Sequence, residues 1–225
     1  MREMVIYDMD KTVTLKATYA AFLMHVAWRV APWRLLLVPV SALLGLGYLA
    51  GLVGRSRLKE LNQQLFVGAA IALDRIAPHV ESYADKVVAH NIRPGARRRI
   101  TADREAGCLL MMATASYELY AAAIARRLGF DVVLGTKLVC DSDGRVTARI
   151  DGDNCYGEAK RECIENWRNH HAGENGAVQV VRTYSDHVSD VPMLLLGAEP
   201  VAINPHQPLA EYARTHGWHI VDWRT

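Results

Sequence analysis

Between residues 35 and 53 the chain reads LLLVPVSALLGLGYLAGLV, nineteen positions without a charge. Arg29 and Arg34 precede this run, and Arg55 and Arg57 follow it. By length and composition such a stretch can cross a bilayer. Its position in the chain restricts that. Asp8 and Asp10, in VIYDMDKT, lie before it, whereas Thr114, Lys160, Asp186 and Asp190 lie after it. One crossing would put the two groups on opposite sides of the membrane. The next apolar run, residues 65 to 73, is too short to bring the chain back. Three placements stay open: the buried core of a helical module, a segment lying in the membrane surface, or a re-entrant hairpin. Pro39, Gly45, Gly47, Gly51 and Gly54 disfavour a free-standing soluble helix but are tolerated in membranes. Arginines at both ends can reach headgroups along their apolar stems.

The rest of the chain alternates. Short apolar runs at 4–7, 108–113, 130–134, 178–184 and 200–203 have the character of strands buried on both faces. Helical patterns fall at 117–128, closed by Gly129, and at 157–170, and residues 137–150 resemble a hairpin turning at DSDG. This alternation predicts an α/β fold, a Rossmann-like parallel sheet with helices on both faces. Residues 14–91 show almost no strand signal and read as an all-helical insertion. The expected organisation is therefore a core of 1–13 and 92–225 with a helical module, 14–91, inserted after the first strand. A length of 225 residues suits that plan. The formal net charge of +2 gives no argument for nucleic acid as a partner. Cys108, Cys140, Cys155 and Cys163 form no CxxC pair and read as reduced thiols. With no secretory pattern ahead of the first strand, the expected location is cytoplasmic, either free or peripheral at the inner membrane face.

In sheets of this kind, ligands bind beyond the carboxyl ends of the strands. Asp8, Asp10 and Thr12 follow the first strand, and Thr114 follows the second, in MMATAS. Lys160 stands at a helix start in GEAK, while Asp186 and Asp190 follow the fourth strand in YSDHVSD. Four carboxylates, a lysine and a hydroxyl are thus expected at one sheet edge. Crowded carboxylates call for a cation, and oxygen-only ligands suit Mg²⁺ before Zn²⁺. One aspartate can attack while its neighbour moves protons, with lysine and metal offsetting charge on the attacked group. Taken singly, each motif has a plainer reading: a solvated turn, a surface lysine, a helix cap. The order of all four makes coincidence a poor explanation. His187 could touch substrate but reads first as a loop residue, and Cys155 and Tyr156, just before the motif lysine, could line the pocket but read first as packing.

The stretches VIYDMDKT, LLMMATAS, NCYGEAKRECI and YSDHVSDVPMLLLG resemble the haloacid dehalogenase-like hydrolase superfamily, and within it the phosphoserine-phosphatase-like branch, subfamily IB. The resemblance implies a core carrying a C1-type helical cap. It implies a Mg²⁺-dependent phosphatase that works through an aspartyl-phosphate. Asp8 then matches the nucleophile, Asp10 the general acid and base, and Lys160 the catalytic lysine. Thr114, Ala115, Lys160 and Ser189 fall at substrate-binding positions. Asp8, Asp10 (through its main-chain carbonyl) and Asp186 match the metal ligands, supported by Asp190. Two departures bear on substrate. VTLKATYAAF lacks the acid with which phosphoserine phosphatases meet an ammonium, and Ser189 replaces the family's asparagine. A looser likeness to phosphatidylglycerophosphatase C, together with the apolar run, favours a lipid or other amphipathic phosphate. The alternatives are a small polar phosphate such as phosphoserine, phosphate transfer to an alcohol, a phospho-receiver module, and a membrane-associated interaction protein. Adjacent acids after the first strand would mark a receiver, and DMD disfavours it.

Overall fold

The computed structural model describes residues 2–224. Strand β1 (Arg2–Tyr7) lies inside an eight-stranded sheet, and its last four residues are fully buried. It pairs in parallel with β3 (Leu109–Tyr117) on one side and β6 (Val178–Ser185) on the other. Alternation along β1 divides its side chains between two cores. Val5 and Tyr7 join the larger cluster, while Met4 and Ile6 join the smaller one with Ile164, Met193 and Leu209. An apolar residue at every position is what a strand covered on both faces requires.

The strand order is β2-β5-β4-β3-β1-β6-β7-β8. β4 (Val132–Cys140) is continuous, where the sequence suggested a strand at 130–134 and a separate hairpin arm. Its first residues pair in parallel with β3 and its last pair antiparallel with β5 (Arg145–Asp151), so one strand serves both roles. The turn between them falls at DSDG, where Gly144 takes φ +70°. β7 (Glu199–Ile203) extends the parallel part. The exposed three-residue β8 (His219–Val221) completes it, too short for a periodic signal. Helices α5 (Pro94–Glu105), α6 (Glu118–Leu128), α7 (Glu158–Asn175), α8 (Val191–Leu194) and α9 (Gln207–Thr215) accompany the strands. Gly129 ends α6 in the left-handed conformation its position suggested.

Between β1 and α5 run α1 (Tyr19–Val30), a 3-10 turn (Pro32–Leu37), α2 (Val38–Leu49), α3 (Arg55–Phe66) and α4 (Leu73–His90). This block is not wholly helical, because β2 (Ala70–Ala72) pairs antiparallel with β5 at the sheet edge. α1 buries Phe22, Leu23, Val26 and Ala27, and α4 buries Ile76, Val80, Tyr83, Ala84 and Val87. Both sets follow the spacing of a single helix face. α2 behaves differently. Neither it nor the 3-10 turn has a buried residue, and Leu36, Leu49 and Leu52 are each about 80% exposed (80%, 78% and 82%). Of the three placements the sequence left open, this removes the buried core. Leucines, glycines and one proline ring a short helix whose main packing partners are α3 and the preceding turn. The chain leaves at the end of α1 and returns along α3, which packs on α1. Arg34 Nη1 ties the outgoing arm to the carbonyls of Gln64 and Leu65, both at 2.9 Å.

Candidate active site

Just beyond β1 the backbone stays extended at Asp8 (φ −71°, ψ 153°) and then coils tightly over Met9–Val13, with Lys11 at φ +63°. The Thr14 amide returns to the Met9 carbonyl at 2.9 Å. The coil brings Thr12 beneath Asp8, where its hydroxyl donates to Asp8 Oδ2 at 2.9 Å. Thr12 Oγ1 in turn accepts the Asp186 amide at 3.0 Å and lies 3.3 Å from Asp186 Oδ1. A single hydroxyl therefore joins the ends of β1 and β6.

Lys160 reaches the cleft from the first turn of α7. Gly157, at φ +61° and ψ −127°, gives the chain the turn it needs just before that helix. The Lys160 ammonium donates to Asp8 Oδ1 at 2.8 Å and pairs with Asp190 Oδ1 at 2.8 Å. Asp190 is fixed from the other side by the Ser185 hydroxyl at 2.6 Å. Asp8, Lys160, Asp186 and Asp190 are all buried. Burial pushes the Asp8 carboxyl up to about 8, Lys160 opposes this, and the charges of Asp190 and Asp186 add to it. Burial, then Asp190, raises Asp186 to about 6.

Asp10 is held separately. Its Oδ1 accepts the Thr18 amide (2.7 Å) and hydroxyl (2.8 Å), and its Oδ2 accepts the Ser116 hydroxyl at 2.5 Å. Thr114 is buried, and its Oγ1 accepts the Ser116 amide at 3.1 Å. It lies within β3 rather than after it, at the break in the parallel register between Ala113 and Tyr117. Ser189 Oγ bonds His187 Nδ1 at 2.8 Å. All eight side chains singled out from the sequence line one cleft of about 230 Å³: Asp8, Asp10, Thr114, Ala115, Lys160, Asp186, Ser189 and Asp190.

Several lining residues carried no such signal. Arg55, from the start of α3, stacks its guanidinium on the Tyr156 ring at 3.8 Å, and both face the cleft beside His187. An adjoining chamber of about 340 Å³ shares Asp10, Arg55 and Ala115 and is walled by Tyr19, Tyr48 and Leu58. Lys59 also lines it. Its ammonium donates to the Ala115 carbonyl (2.6 Å), Asn154 Oδ1 (2.8 Å) and Thr136 Oγ1 (3.2 Å), fastening α3 to the strand ends. Burial pushes this lysine down to about 7, with Cys155 and Asp10 opposing and Arg55 adding to the shift. Neither cation sits in a local motif, since both act across the fold. Ser116 and Thr18 could have been suspected from their places beside Thr114 and after DMDKT.

The donor set suits a hard divalent cation. Two carboxylates, on Asp8 and Asp186, flank the Thr12 hydroxyl, and every donor is oxygen. Among the described residues no three His, Cys, Asp or Glu side chains form a ready metal cage. Mg²⁺ ordinarily takes one or two carboxylates and keeps several waters, so two are sufficient.

Comparison with known proteins agrees with this arrangement. Residues 5–195 match the haloacid dehalogenase-like hydrolase family. Phosphoserine phosphatase SerB1 of Mycobacterium tuberculosis is 39% identical over 146 residues, 64% of this chain and 46% of that protein. Protein CicA of Caulobacter vibrioides is 30% identical over 202 residues, 87% of this chain and 83% of that protein. A solved structure of a Bordetella pertussis protein of unknown function superposes with a TM-score of 0.85 at 25% identity, covering 99% of both chains. The chain spans about half the length of the mycobacterial relatives it matches, 57% and 46%. On the match over residues 5–195, the chain belongs to the haloacid dehalogenase-like hydrolase family.

Proposed function

We propose that this protein is a Mg²⁺-dependent phosphomonoester hydrolase that works through an aspartyl-phosphate on Asp8. The observation that carries the reading is the pairing of the buried Asp8 with Lys160 at 2.8 Å, at the base of a cleft also lined by Asp10. Asp8 attacks the phosphorus, and the bond to the ester oxygen breaks as Asp10 gives that oxygen a proton. Water then attacks the phosphorus of the aspartyl-phosphate, Asp10 takes its proton, and inorganic phosphate leaves. Bonds from Thr18 and Ser116 hold Asp10 in one orientation through both steps. Lys160 opposes the effect of burial on Asp8 and sits where phosphate oxygens gather charge. Thr114, the Ala115 backbone and Ser189 would contact those oxygens. Mg²⁺, held by Asp8, Asp186 and the Asp10 main-chain carbonyl with Asp190 in support, would lower the charge on the cleft and polarise the phosphoryl group.

For the leaving group we favour an amphipathic phosphate, with residues 14–91 acting as the cap. Two observations support this. The chamber beside the cleft is walled by Tyr19, Tyr48 and Leu58, and its cations are Arg55 and Lys59. Among the described residues the one carboxylate lining it is Asp10, already held by three hydrogen bonds, so the ammonium of phosphoserine would find no free counter-charge. The test is phosphate release from phosphoserine, a soluble aryl phosphate and a lysophosphatidic acid, with Asp8→Asn as control. Equal release by both proteins would sink the mechanism. Preference for phosphoserine would sink the substrate class and leave the mechanism standing.

A further inference from the structure

We propose that the hairpin from Trp28 to Val53 docks on the surface of an anionic lipid bilayer without crossing it. The first observation is exposure. Among the described residues, nine of the fourteen large apolar side chains left in solvent lie between Trp28 and Leu52. They form one continuous excursion rather than scattered single residues, and a patch of this kind marks an interaction surface. Pro32–Leu49 is long and apolar enough to enter a membrane, and none of it is buried.

Charge selects the occupant. From residue 11 to residue 59 the chain has no Asp or Glu and seven Lys or Arg. The remaining positions hold nineteen basic and all twenty-four acidic residues, and four of the seven cations, Arg29, Arg34, Arg55 and Arg57, stand on the excursion or at its roots. Arg29, Arg55 and Arg57 are exposed at those roots, with Arg57 paired at 3.1 Å to the neighbouring Glu60. A second copy of the same face would bring like charges together, whereas anionic headgroups complement them. The roots also carry Trp28 and Trp33, 64% and 60% exposed, with the Arg34 guanidinium 5.2 Å from the Trp33 ring centre. Tryptophan beside arginine, below an uncharged apolar tip, is the layering that a lipid–water boundary favours.

Topology sets the depth. α1 and α3 pack on each other and on the body, so both ends of the excursion sit on one side. The hairpin therefore enters one leaflet and returns. Tyr48, near the end of α2, and Arg55, at the start of α3, also line the chamber beside the catalytic cleft. Docking would bring the mouth of that chamber to the headgroups. The inference rests on exposure, charge and topology, and stands apart from the phosphatase reading.

The test is co-flotation of the whole chain with vesicles of phosphatidylcholine alone or mixed with phosphatidylglycerol, beside Leu43→Glu/Leu46→Glu. Both leucines are exposed (67% and 61%) and outside the cleft. Thermal melting and hydrolysis of a soluble aryl phosphate should match in the two proteins, which separates loss of docking from loss of fold or chemistry. The wild type should float with phosphatidylglycerol vesicles about tenfold more than the variant, weakening as salt rises. A wild type that stays unbound, or a variant that floats equally, would overturn the proposal. So would equal flotation with phosphatidylcholine alone. A lipid-free dimer that the two glutamates dissociate, with no vesicle binding, would assign the face to a second copy instead.

Discussion

The cleft at the strand ends and the hairpin at 28–53 depart from ordinary burial in opposite senses. At the cleft, Asp8, Asp186, Asp190 and Lys160 are withdrawn from water, while on the hairpin Leu36, Leu49 and Leu52 are left in it. A fold selected for stability alone would do neither. Burying charge is costly unless partners compensate, and an exposed leucine forgoes about 1.5–3 kcal/mol of burial. The cleft carries much of its compensation within it, as Asp8 and Asp190 accept from named donors at 2.6–2.9 Å and Asp186 shares the Thr12 hydroxyl with Asp8. The hairpin has none within the chain. One region is complete and the other waits for something outside, which is why the first yields a mechanism and the second a docking surface.

The contrast can be broken most severely at Lys160. Lys160→Met leaves Asp8 and Asp190 facing each other without their cation. Phosphate release should fall to background, and chemical denaturation should show a loss of about 3–5 kcal/mol. A variant as stable and active as the wild type would mean that the buried charges need no internal partner. Asp10→Asn keeps the cleft's shape and removes the proposed proton carrier. Its turnover of a soluble ester should drop about 10²–10⁴-fold with little change in melting temperature. Loss of folding instead would make Asp10 a structural tie to Thr18 and Ser116.

Lys59 joins the two regions, since it comes from the helix that anchors the hairpin. Its folded value of about 7 lies below the ordinary 10.5, so between those values the unfolded chain binds the extra proton. Stability from this site should therefore rise with pH across that window, and below about 7 the buried ammonium imposes its full cost. Denaturant melts of the wild type and Lys59→Met at several pH values check this. The difference between the two should change through the window, and a constant difference would contradict the assignment. The groups facing Lys59 are Asp10, Cys155 and Arg55, with the Tyr19 and Tyr117 rings. The smallest effect belongs to the hairpin. Leu43→Glu/Leu46→Glu should shift folding stability by no more than about 0.5 kcal/mol per site, whereas Ile124→Glu, in a fully buried position, should prevent folding. Comparable losses at both places would mean that the hairpin packs on the body.

What the sequence disclosed follows the same division. VIYDMDKT, MMATAS, GEAK and YSDHVSD each join a chemical side chain to the element that aims it, so eight residues that line the cleft were legible. Arg55 and Lys59 were not, because their partners Tyr156, Ala115 and Asn154 lie far along the chain. Short edge strands such as β2 and β8 carry too few residues for a period to be read. The environment of 35–53 was illegible for another reason. An uncharged leucine-rich helix has one composition whether it is buried in protein, set in lipid or left bare, and only its neighbours tell them apart.

The central claim is that phosphate passes through Asp8. It is tested most directly by mixing the protein with a phosphate ester and Mg²⁺, quenching during turnover and reducing with borohydride, which converts an aspartyl-phosphate to homoserine. Peptide mapping should then find homoserine at position 8 in the wild type and none in Asp8→Asn. Phosphate release with an unmodified Asp8 at every quench time, or turnover retained in Asp8→Asn, would contradict the account.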